Sequence, residues 1–142
     1  MNTIFNIVQS RKQLWPSLLF AAAIVFAFVN ARTSGFDVNQ VTVQEAKSLM
    51  DTGAVVIDVR GAEAYHTSHI PGAISLPLAL LHSGIPQSIM QAKMKPVVVY
   101  CGDGVKSGPE GTHLLNKAGF ANAVNIKSGI EGWEKAGLPV QK

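Results

Sequence analysis

What this chain lacks bounds it before any motif is read. It has one cysteine in 142 residues, which excludes an internal disulfide. In an oxidising compartment such a thiol is either buried and inert or exposed and used. Charge is scarce too, with 15% of residues charged and a formal net charge of +3. Setting aside residues 1–31 removes Arg11 and Lys12 from the 12 bases, leaving 10 against 9 acids. A net of +1 forms no basic patch, so no nucleic-acid partner is expected. Internal repeats, low-complexity tracts and a Gly-x-Ser-x-Gly nucleophile elbow are all missing. His66 and His69 have metal-ligand spacing, but His82 and His113 are scattered and no second ligand pair exists. Hydrogen bonding in loops or core is therefore expected of them, and no metal site.

One long uncharged run is present, Leu14 to Val29 (LWPSLLFAAAIVFAFV), directly after Arg11 and Lys12. That order is an export pattern, with the N-terminus cytoplasmic and the rest periplasmic or otherwise extracytoplasmic. Two readings of the segment stand: a signal peptide cut before Arg32, with Val29 and Ala31 as the small residues, or an uncleaved hydrophobic helix that anchors the chain to a membrane. The run is longer than most signal cores and shorter than the roughly 20 residues that comfortably span a bilayer. Residues 32–36 then read as linker and 37–142 as one domain.

Within that domain, Thr42-Val43-Gln44-Glu45 has capping-box spacing and predicts a helix over 43–50. AVVIDV (54–59) and the run ending VVVY (96–100) read as strands buried on both faces. Shorter strands are expected at 73–76 and 122–126, and helices at 88–94, 111–118 and 130–136. This alternation implies an α/β fold with a mainly parallel sheet and helices on both faces. Ligands of such sheets bind beyond the carboxyl ends of strands, where Asp58, Arg60 and Cys101 lie.

CGDGVKS (101–107) is the candidate site. Gly102 and Gly104 allow the backbone to curl into an anion-binding nest, a helix starting near Ser107 adds its positive end, and Lys106 adds a cation. These features predict an exposed Cys101 held as thiolate, with Asp103 turned to solvent because an inward carboxylate would raise the thiol pKa. A phosphate-binding P-loop is excluded, since Val105 stands where that motif needs glycine.

VVIDVR, HIPGAISLP from His69, VVVYCGDGVKS, LLNKAGFANAVNI and SGIEGW ending in Trp133 occur in an order that resembles the single-domain rhodanese family over residues 37–142. The resemblance implies a parallel sheet of about five strands and a catalytic Cys101 that carries sulfur as a persulfide. It implies a small sulfane-sulfur donor such as thiosulfate, a cyanide or thiol acceptor, and no cofactor. Substrate contacts are expected from Arg60, Gly102, Asp103, Gly104, Val105, Lys106 and Ser107, with Asp58, His69 and Trp133 as structural support. Related cysteine phosphatases need Cys-x5-Arg, and position 107 is serine, so phosphate chemistry is disfavoured. Gly-x-Gly-Val after the cysteine resembles the mercaptopyruvate sulfurtransferases, which leaves donor identity open. A non-catalytic persulfide carrier or protein-binding module is the alternative; a redox sensor lacks a resolving cysteine within the chain.

Overall fold

The computed structural model describes residues 35–142; the apolar segment and its cleavage or anchoring lie outside the described residues. Five strands, β1 (Gln40–Val41), β2 (Val55–Asp58), β3 (Ile74–Ser75), β4 (Val97–Tyr100) and β5 (Ala123–Ile126), form one sheet in the order β1-β5-β4-β2-β3. Every pairing is parallel. Among the described residues five α-helices accompany it: α1 (Val43–Asp51), α2 (Ala62–Thr67), α3 (Leu78–Ser83), α4 (Ser107–Lys117) and α5 (Gly129–Lys135), with a 3-10 helix at Gln87–Met94. Among the described residues no helix is long and apolar enough to cross a membrane.

Side chains alternate across β4 and divide the core in two. Val97, Val99 and Cys101 pack with Leu81 of α3, Ile89 and Ala92 of the 3-10 helix and Leu115 of α4. Val98 and Tyr100 face the other way, against Val43 and Ala46 of α1 and Ile130 and Trp133 of α5. Cys101 thus continues the inward rhythm of its strand rather than leaving it.

The expected capping box is present: the Glu45 N–H reaches Thr42 Oγ1 at 3.2 Å and Thr42 N–H donates to Glu45 Oε2 at 2.8 Å. Several boundaries differ from expectation. Residues 78–83 form α3, packed through Leu81. The helix expected over 88–94 is the 3-10 form, which suits a short segment opening after Pro86. Helix α4 starts at Ser107, as expected for the cysteine loop but earlier than the 111–118 pattern; Pro109 is tolerated because a first-turn proline gives up an N–H that has no helical partner anyway. Strand β1 was not anticipated, since two residues carry no period to read.

Candidate active site

Strand β4 is the middle of the sheet, paired with β2 and β5, so its carboxyl end is fixed from both sides. Cys101 stands at that end. The loop after it folds back so that the Gly104 N–H lies 3.2 Å from Cys101 Sγ, while the Gly108 amide in the first turn of α4 also favours the thiolate. Gly104 takes φ 77°, a left-handed conformation that glycine adopts without strain. Gly102 has no such need; a Cβ there would stand 3.7 Å from Glu131 Oε1, in ordinary contact.

Neighbouring elements clamp this turn. Asn125, wholly buried on β5, donates from Nδ2 to the Gly104 carbonyl at 3.0 Å. At the start of α5, the N–H groups of Ile130 and Glu131 hold the carbonyls of Cys101 and Gly102 at 2.9 and 3.0 Å. A Cβ on Gly129 would strike both of those carbonyls, and one on Gly104 would strike the carbonyls of Ile126 and Lys127. A Cβ on Gly108 would come within 3.3 Å of Sγ itself. Asn125, Gly108, Gly129 and Glu131 were absent from the sequence-derived site. Gly108 follows the motif directly and was passed over, whereas the part played by Asn125, Gly129 and Glu131 is set by elements distant along the chain, which no local motif marks.

Two expectations about the thiol fail. Cys101 is 4% exposed rather than open, and its pKa is raised rather than lowered. Burial is the largest cause; the Gly108 and Gly104 amides oppose it, and the Asp103 carboxylate adds to it. Asp103 does not simply face solvent. Although the residue is exposed, its Oδ1 accepts the Val105 N–H at 3.0 Å and lies 3.7 Å from Sγ. Lys106 and Val105 are exposed and Ser107 half-buried, with Lys106 capping α4 through its backbone alone.

The remaining sequence-derived residues form separate braces. Asp58, wholly buried, accepts from the Arg60 N–H at 2.9 Å, from Nε at 3.0 Å and from Nη2 at 2.6 Å. Arg60 Nη2 also donates to the Ser68 carbonyl at 2.6 Å, and its guanidinium lies 5.6 Å from the centre of the Tyr100 ring. Among the described residues no hydrogen bond joins Arg60 to residues 101–107. His69 stacks on Tyr65 with ring centres 3.9 Å apart, and its backbone exchanges two 2.8 Å bonds with Gln141. Trp133 is buried and donates from Nε1 to the Pro139 carbonyl at 2.9 Å.

A parallel α/β sheet whose central strand delivers a cysteine to the main-chain amides of the loop after it defines a narrow class of proteins. The model of the rhodanese-like domain matches residues 42–136, and the chain belongs to that family. It is 32% identical to the uncharacterized protein YibN of Escherichia coli over 127 residues, 89% of this chain and 85% of that one. It is 30% identical over 106 residues to the thiosulfate sulfurtransferase GlpE of Haemophilus influenzae, covering 71% of this chain and 92% of the relative. The fold is similar to that of the human single-domain sulfurtransferase TSTD1, with a TM-score of 0.58 and 30% identity over 68% of this chain and 95% of the other.

Proposed function

We propose that the protein is a sulfurtransferase working through a Cys101 persulfide. The observation that carries this reading is the sulfur at the end of β4 with the Gly104 and Gly108 amides directed at it. As a thiolate, Cys101 attacks the outer sulfur of a donor such as thiosulfate. The S–S bond breaks and its electron pair leaves on sulfite, giving Cys101–S–S⁻. The terminal sulfur then bears the charge, which the loop amides stabilise. Cyanide or a thiol removes that sulfur and restores the thiolate. Lys106 is the loop cation that attracts an anionic donor, and Asp58 with Arg60 braces the loop's neighbour strand. The related sulfurtransferases support transfer chemistry of this kind.

Incubation with excess sulfane-sulfur donor, thiosulfate or inorganic polysulfide, should add one reducible sulfur atom to Cys101, read by mass spectrometry of the intact and digested protein. No gain with either donor sinks the reading. Burial of Cys101 and its raised pKa favour one second reading, a persulfide carrier that loads and unloads slowly. Cyanide separates the two: sustained thiocyanate release marks an enzyme, a single stoichiometric release a carrier. Export of the domain, proposed from Arg11, Lys12 and the run after them, is tested by N-terminal sequencing of the protein recovered outside the cytoplasm.

A further inference from the structure

The loop carries an anion of its own. Asp103 Oδ1 takes the Val105 N–H at 3.0 Å, and that same oxygen faces Cys101 Sγ at 3.7 Å. One main-chain donor of the loop is therefore already engaged by a carboxylate. A second carboxylate borders the same turn, where Glu131 Oε1 stands 3.7 Å from the position of a Cβ on Gly102. Among the described residues neither Asp103 nor Glu131 is ion-paired.

We propose that Asp103 sets the donor class, turning away dianionic thiosulfate and favouring an alkyl hydropersulfide, R–S–SH, whose reacting group carries one negative charge at most. The proposal rests on the sulfurtransferase reading above and names the substrate of that site. Discrimination here comes from a repulsive element built into the receiving loop, since a negative charge beside the attacking sulfur opposes a doubly charged donor more than one bearing a single charge or none. In its protonated form, the one open to attack, a hydropersulfide also brings an S–H that Asp103 Oδ1 can accept. In the transfer, the Cys101 thiolate bonds to the outer sulfur and the R–S bond to that sulfur breaks. The leaving R–S⁻ takes the proton from the transferred sulfur, so Cys101–S–S⁻ and R–SH result with no external oxidant or reductant.

The test compares second-order rates of Cys101 persulfidation by thiosulfate and by cysteine hydropersulfide in the full chain and in Asp103→Asn, read by alkylation and mass spectrometry. The ratio of the thiosulfate rate to the hydropersulfide rate should rise at least threefold in the variant. A smaller change, or a fall, overturns the proposal. Asp103→Ser is scored by the same threshold if Asp103→Asn does not fold. If neither donor loads Cys101 in the unaltered chain, the sulfurtransferase reading fails and takes this inference with it.

Discussion

At the scale of single residues, the decisive quantity is the balance of charges around one sulfur. Two amides favour the thiolate, whereas burial and Asp103 favour the thiol, and the second pair wins. Persulfidation of Cys101 should therefore accelerate with rising pH, with a midpoint above the value of about 8.5 for a free cysteine. Asp103→Asn removes one of the raising influences and should move that midpoint down; a midpoint that stays or climbs contradicts the assigned contact. Lys106 is proposed to act in the opposite sense on an anionic donor. Lys106→Ala should raise KM for thiosulfate several-fold, and steady-state kinetics showing an unchanged KM would remove it from the site. None of this balance was legible in CGDGVKS alone. The letters show which groups are near the thiol, but the sign depends on burial and on where Asp103 turns.

Elements explain what the letters could and could not reveal. The cap of α1 and the buried run of β4 were legible because their information is local: four adjacent residues for one, an unbroken apolar stretch for the other. Asn125 was not, since it meets Gly104 from 21 positions away, through strand pairing between β4 and β5. That bond makes the β5 side chain a support for the turn after β4. Gly104→Ala forces a Cβ into a left-handed residue already facing two backbone carbonyls, and should cost at least about 1–3 kcal/mol while slowing persulfidation. Urea unfolding monitored by circular dichroism reads the first effect. Asp58→Ala strands the mostly buried Arg60 guanidinium, whose side chain is 14% exposed, and should cost about 3–5 kcal/mol in the same experiment. A loss below about 1 kcal/mol would mean that water or a new partner takes over the charge.

Over the described residues, the parallel sheet of about five strands that the family resemblance implied is present, although β1 had no sequence signal of its own and the residues that close the structure were not foreseen. The tail after α5 returns across the domain: Pro139 accepts from Trp133, and Gln141 pairs with His69. The family match ends at residue 136, before this tail. Cutting the chain after Ala136 deletes one side-chain bond and four backbone bonds, each worth about 0.5–1.5 kcal/mol net. A fall in Tm of several degrees should follow, and an unshifted melting curve would show the tail to be ornamental. The central place of β4 has another consequence. Because the lone thiol sits where two ladders meet, a slow alkylating reagent added at graded denaturant becomes a gauge of opening motions. Labelling that scarcely responds to urea reports the turn lifting by itself; labelling that steepens with urea reports the sheet coming apart.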